Sequence, residues 1–144
     1  MAQILVSKVD FVDKKFEIAR RIRKEVFVLE QGVDPELEYD KYDEEASHFL
    51  LSFDGQYVGV ARKRCTEQGI KLERFAIISS FRKKGLGSLF VSKLLEPDIK
   101  LGYKLYLNSQ DQAVDFYLKT GFKIVGKPFY EANILHYKME FIEQ

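Results

Sequence analysis

Residues 81–89 read FRKKGLGSL, and the interpretation of the whole chain turns on them. Arg82, Lys83 and Lys84 run directly into Gly85, Leu86, Gly87 and Ser88. Upstream, residues 71–78 (KLERFAII) have the composition of a strand. Downstream, from Gly85 to about Lys100, Leu86, Leu89, Phe90 and Leu94 recur at helical spacing. The stretch is therefore a strand-to-helix junction. The first amides of a helix lack partners and sit at the positive end of its dipole, and glycines let an anion approach the backbone closely. Such a junction suits a diphosphate. The spacing fits neither GxxxxGK[ST] nor GxGxxG, because Phe90 stands where the last glycine would fall counted from Gly85.

The flanking sequence supplies the rest of an α/β chain. Residues 3–9 are β-prone, and from about Lys14 to Leu29 the apolar positions Phe16, Ala19, Ile22, Val26 and Leu29 predict an amphipathic helix. Residues 48–53 and 56–65 flank Asp54-Gly55, a strong signal for a two-residue hairpin. In residues 71–78, alternation puts Lys71, Glu73, Phe75 and Ile77 on one face and Leu72, Arg74, Ala76 and Ile78 on the other. Pro97 predicts that the regular helix ends near Glu96. Strands are expected at 103–107, 122–125 and 133–141, with a short helix over 111–119. Hairpins in the first half and crossovers in the second imply one mixed sheet covered by helices on both faces, in a single domain over residues 1–144.

Composition narrows the function. Twenty-three basic against 22 acidic residues leave a formal net charge of +1, which disfavours nucleic acid or anionic membrane as a partner. The start MAQILVSKVDF has no signal-peptide pattern, no apolar run approaches membrane-spanning length, and the lone Cys65 forms no internal disulfide, so the chain reads as cytoplasmic. Two histidines and one cysteine stand far apart, so no metal site is expected. Residues 34–45 (DPELEYDKYDEE) hold seven carboxylates and one lysine, which by default reads as a solvated loop with at most a short helical turn.

The junction resembles the acetyl-CoA pyrophosphate loop of the GNAT superfamily, [R/Q]-x-x-G-x-[G/A], matched by Arg82, Gly85 and Gly87. Leu107-Asn108, then Ala113 and FYLKTGF (116–122), resembles the family's second signature. VFVLEQG (26–32), LNSQ (107–110) and EANILH (131–136) are similar to the ElaA-like branch of small bacterial members. That branch usually carries an acid where this chain has Leu29 and a glycine where it has Asn133.

The resemblance implies a largely antiparallel sheet with one splayed parallel strand pair, the wedge that takes acetyl-CoA. Pantetheine would pair with the backbone of Phe75, Ala76 and Ile77. The pyrophosphate would lie on Arg82, Lys83, Lys84, Gly85, Leu86, Gly87 and Ser88, with Asn108 and Phe116 as further cofactor contacts. The implied reaction is attack of a neutral amine on a thioester, which needs a proton donor for sulfur and an acceptor for the amine proton. Tyr117 is the implied general acid, and Glu73, on the strand face expected to carry Phe75 and just upstream of the thioester site, is the candidate base. Glu30, Gln31 and His136 would border the acceptor pocket, with Glu30 and His136 as alternative bases. The acceptor class, a small molecule or a peptide amine, is left open, as is a homodimer. A non-catalytic acyl-CoA-binding regulatory module is the competing reading.

Overall fold

The computed structural model describes residues 2–142. Asp54 and Gly55 take φ of 49° and 84°, the paired positive values of a tight hairpin turn. From that turn β2 (Ser47–Phe53) and β3 (Gln56–Thr66) run antiparallel. The strand β1 (Ile4–Val9) lines the outer edge of β2, and β4 (Gly69–Ile77) pairs antiparallel with β3. The next strand, β5 (Leu105–Gln110), joins β4 in parallel. Three more, β6 (Phe122–Ile124), β7 (Phe129–Glu131) and β8 (Ile134–Phe141), complete the sheet: β8 lies antiparallel to β5 and pairs with both β6 and β7. The order is β1-β2-β3-β4-β5-β8-β6, with β7 off this path. The mixed, largely antiparallel sheet expected from the sequence is the observed one.

Each face has its own core. On one, α1 (Phe16–Arg23) buries Phe16, Ala19 and Ile22 against Leu50, Val60 and Ala76. A short α2 (Pro35–Glu38), N-capped by the Asp34 carboxylate, lies in the acidic segment. On the other face, α3 (Leu86–Lys100) buries Leu86, Phe90, Val91 and Leu94 with Leu51, Leu72, Ile77 and Leu107, and Tyr117 from α4 (Val114–Lys119) joins this core. Among the described residues no helix is long and apolar enough to cross a membrane.

Several expectations change, each for a local reason. The first helix leaves α geometry after Arg23 and continues as π-helix over Lys24–Glu30. The wider turns shift the phase of the stripe, so Leu29, expected inside, is exposed while Phe27 is buried. The helix α3 runs through Pro97 to Lys100 rather than ending near Glu96. Lys63 reaches this last part of the helix, donating to the Leu94 carbonyl at 2.8 Å and the Asp98 carboxylate at 2.7 Å. The β5 strand begins and ends later than expected, which places Asn108 inside it rather than at its end. The strand β7 has no strong pattern of its own; a turn with Ala132 and Asn133 both at positive φ folds it back onto β8.

The alternation expected in β4 also breaks. Arg74 adopts φ of 52°, and Arg74 and Phe75 together fill the space opposite Ala61, between the Arg62–Glu73 and Val60–Ala76 pairs. This is a β-bulge, and it flips the faces on either side of it. Leu72 therefore shares its core with Phe75 and Ile77, while Ala76 belongs to the core beneath α1. Glu73 does not share a face with Phe75 as the alternation predicts.

The acidic segment is solvated only in part, with Asp34, Glu36, Glu44 and Glu45 exposed and the remaining acids drawn inward. Glu38 and Asp43 are buried, as are their partners Arg23 and Arg62. Arg23 donates to Glu38 and Asp43, each at 2.8 Å. Arg62 donates to Asp40 at 2.7 Å, Asp43 at 2.9 Å and Glu73 at 3.0 Å. Arg74 reaches Glu38 at 3.0 Å and Asp40 at 3.1 Å. Removing one member of such a buried network strands its partners without water or counter-charge. Arg62→Met is accordingly expected to lower the unfolding free energy by about 3–5 kcal/mol, read from urea denaturation.

Candidate functional site

Two residue pairs hold β4 and β5 together, Ile70 with Leu105 and Lys71 with Tyr106. Beyond them the strands diverge, and the β5-facing edge of β4 from Leu72 onward has no strand partner. An unpaired strand edge inside a sheet presents amides and carbonyls that an extended ligand can pair with. Two clefts open along this divergence. One runs past Phe75, Ala76 and Ile77 to Arg82, Lys83, Gly85, Gly87 and Ser88. The other, about 350 Å³, lies toward the acidic segment and the β7–β8 hairpin and is lined by Phe27, Leu37, Phe75, Asn108, Ser109 and His136 among others. Gln31, Phe75, Gln110, Gln112, Ala113, Tyr117 and Ile134 line both, so the clefts meet.

The first cleft ends at the start of α3. Gly85 is the N-cap, at φ of 78°, with no side-chain cap. The leading amides of the helix are thus open to an anion. Gly87 answers a packing demand, since a Cβ there would lie 3.0 Å from the Phe116 ring. Phe116 stacks on Phe75 with centroids 5.8 Å apart, giving the cleft an aromatic wall. Ser88 and Lys83 line it, whereas the Leu86 side chain is buried in the core, leaving only its amide to take part. Lys84 is exposed beside the cleft, outside its lining. Lys119, which sequence reasoning did not single out, lines it from α4.

Arg82 and Glu30 are brought together unexpectedly. The guanidinium bonds both carboxylate oxygens of Glu30, the second at 2.8 Å, and its Nε donates to the Ile77 carbonyl at 2.8 Å. This pairing holds the Glu30 carboxyl below its ordinary range and Arg82 above its own. The Glu30 carboxylate therefore faces the cleft leading to α3 as the partner of Arg82, and it does not line the second cleft as the sequence predicts for an acceptor-pocket residue.

Tyr117 sits where the clefts meet, ringed by Phe75, Phe116 and Phe122 at centroid distances of 6.1, 5.0 and 5.9 Å. Burial pushes its phenol well above the ordinary tyrosine range. Its hydroxyl makes no hydrogen bond among the described residues. Such a group keeps its proton through the physiological pH range and has it available to donate.

Glu73 lines the second cleft but is committed elsewhere. Arg64 donates to it at 2.9 Å, Arg62 at 3.0 Å and Lys71 at 3.1 Å. These cations overcome burial and hold its carboxyl down at about 2. A carboxylate so stabilised as the anion is a poor proton acceptor, which revises its expected role as base. His136 is better placed: buried in β8, stacked on Phe129, its Nδ1 lies 2.7 Å from the Ile134 carbonyl. Asn108 belongs to this second cleft, not the one leading to α3.

An amide chain spans the junction. Gln112 donates to Gln110 at 2.9 Å and Gln110 to Gln31 at 2.8 Å. Gln31 was legible as a site residue; Gln110 and Gln112 carried no individual signal. Of the two departures from the ElaA-like pattern, Leu29 lines neither cleft, and Asn133, at φ of 63°, is the residue after glycine best suited to that conformation.

Comparison with known proteins agrees with this geometry. The family model described as "Acetyltransferase (GNAT) domain" matches residues 10–143. The chain belongs to the GNAT acetyltransferase family. It is 39% identical over 125 residues to YyaT of Bacillus subtilis (84% of each chain). It is 35% identical over 130 residues to the N-acetyltransferase YjcF of the same organism (88% of this chain, 92% of the relative). Among solved structures, Escherichia coli ElaA superposes with a TM-score of 0.84 at 23% identity, covering 97% of this chain and all 100% of that one. A PaiA N-acetyltransferase from Thermoplasma acidophilum, solved in complex with coenzyme A, superposes with a TM-score of 0.74 at 16% identity, covering 96% and 98%. At these identities the structures speak to the fold.

The Glu73 cluster gives a signed pH dependence. Its folded value near 2 lies below the ordinary glutamate range, so the folded state holds fewer protons there. Its stabilisation is complete above about pH 4.3 and is lost as pH falls toward 2. Glu73→Gln is expected to flatten the acid limb of a stability–pH curve over that window, measured by denaturation at fixed ionic strength.

Proposed function

We propose that the chain is an N-acetyltransferase that moves an acetyl group from acetyl-CoA to a primary amine within a ternary complex. The observation carrying this reading is the unpaired edge of β4, which leads from the uncapped N-terminus of α3 past Phe75 to the buried phenol of Tyr117. Acetyl-CoA, when bound, supplies the activated thioester carbonyl and the sulfur leaving group.

The remaining chemistry falls to the chain. The amides of Leu86, Gly87 and Ser88 bind the diphosphate, with Lys83 and Arg82 adding positive charge. The backbone of Phe75, Ala76 and Ile77 pairs with the pantetheine arm and aligns it. Phe75 and Phe116 keep water from the reacting atoms. Tyr117 donates its proton to the departing sulfur. Because Arg82 is engaged by Glu30, the diphosphate competes with a carboxylate for the guanidinium. A non-catalytic binding module would share the cleft, but a phenol without a hydrogen-bond partner where the clefts meet favours the enzyme.

Acetyl-CoA at about a hundredfold excess over Kd is expected to stabilise the protein by roughly 2.7 kcal/mol, seen as a raised midpoint in thermal unfolding, and Arg82→Glu is expected to abolish the rise. No shift at millimolar acetyl-CoA would sink the assignment. Tyr117→Phe should keep the shift and lose about 10²-fold or more in thiol release. An unchanged rate would remove Tyr117 as the proton donor, and no thiol release by the wild type with any amine would return the chain to the binding-module reading. Glu30→Gln frees Arg82 and is expected to tighten acetyl-CoA binding several-fold by titration calorimetry.

A further inference from the structure

The second cleft has an unusual charge balance. Three carboxylates, Glu38, Asp40 and Glu73, and two cations, Lys71 and Arg74, line it. All of them are paired with one another or with Arg23, Arg62 and Arg64 behind the wall. Glu131, on the exposed hairpin, is the one remaining charged group in the lining. What is left to contact a ligand inside is apolar (Phe27, Leu37, Phe75) or uncharged and polar (Asn108, Ser109 and the Gln31–Gln110–Gln112 chain). A cleft for a polycation needs unspent carboxylates and one for an acidic ligand needs an unspent arginine. This one has neither in its interior.

His136 supplies what the paired carboxylates do not. A carbonyl oxygen only accepts, so the 2.7 Å contact to Ile134 puts the imidazole hydrogen on Nδ1. In the neutral ring Nε2 then carries the lone pair, and it has no partner among the described residues. The ring is fixed by its stack on Phe129, across the β7–β8 pairing.

We propose that the cleft beneath the β7–β8 hairpin receives a mono-amine whose remaining body is uncharged, and that His136 Nε2 takes the proton from its ammonium group. This rests on the acetyltransferase reading. The ammonium enters past Glu131 and gives one proton to Nε2, which passes it to solvent. The freed nitrogen lone pair forms the new C–N bond, the C–S pair leaves with sulfur, and sulfur takes the Tyr117 proton. The second proton of the nitrogen restores the phenol. The other titratable or charged groups facing this cleft are Glu38, Asp40, Lys71, Glu73, Arg74, Tyr117 and Glu131. Lys138 and Tyr137 follow His136 on its own strand, and Tyr130 flanks Phe129 on β7.

The test is thiol release at saturating acetyl-CoA with 2-phenylethylamine, spermidine and glutamate as acceptors. The kcat/KM for 2-phenylethylamine is expected to exceed that for each of the others by about tenfold or more. His136→Gln is expected to lower kcat about 10²-fold and to move the rising limb of the pH profile to higher pH, where the acceptor amine deprotonates without a base, with the acetyl-CoA thermal shift intact. Preference for spermidine or glutamate, or no turnover of 2-phenylethylamine while acetyl-CoA still raises the midpoint, overturns the acceptor class. An unaltered pH profile in His136→Gln overturns the base. Loss of the thermal shift in the wild type instead overturns the parent reading. If His136→Gln does not fold, nitrogen NMR of the wild type decides. The Nδ1–H tautomer, with an Nε2 resonance moved by 2-phenylethylamine, is expected, and an Nε2–H tautomer or an unmoved resonance rejects the role.

Discussion

The left-handed backbone of Arg74 is the constraint on which the site depends. A side chain in that region costs about 1–2 kcal/mol relative to an ordinary strand residue, and here it is held by bonds to Glu38, Asp40 and the carbonyl of Leu37. The bulge that results turns Phe75 and Ile77 onto the α3 face, just past the point where β4 parts from β5. Without the acidic segment nothing would hold Arg74, and without the bulge Phe75 would face the other core. The charges in residues 34–45 are thus part of the cleft's construction.

This explains what the sequence could and could not reveal. The strand-to-helix junction at Gly85, the hairpin at Asp54-Gly55 and the aromatic pair Phe116-Tyr117 are local in cause, and they were legible. The faces of β4 were misread because alternation assumes an unbroken strand, and the bulge depends on partners 34 and 36 residues away, Asp40 and Glu38. Pairing across β3 and β4 commits Glu73 to Arg62, Arg64 and Lys71, and the distant partners Arg23, Arg62 and Arg74 draw Glu38, Asp40 and Asp43 out of an otherwise exposed run of acids. Glu30 and Arg82, 52 residues apart, each looked available until the structure placed them together.

The π-helical turns at Lys24–Glu30 act at the same junction. By changing the phase of the first helix they present Phe27 to one cleft, Glu30 to the other and Gln31 to both. An unbroken α-helix would aim these side chains differently. The chain gives up regular hydrogen bonding in one segment and strand pairing in another at points that face each other across the clefts.

The narrow union of β4 and β5 has a mechanical meaning. Two residue pairs join the N-terminal strands to the C-terminal ones, and the core that holds Leu72 and Ile77 together with Leu105, Leu107 and Met139 carries the rest of the joint. Both clefts lie along that seam, so any change in the separation of β4 and β5 would alter the width of the two together.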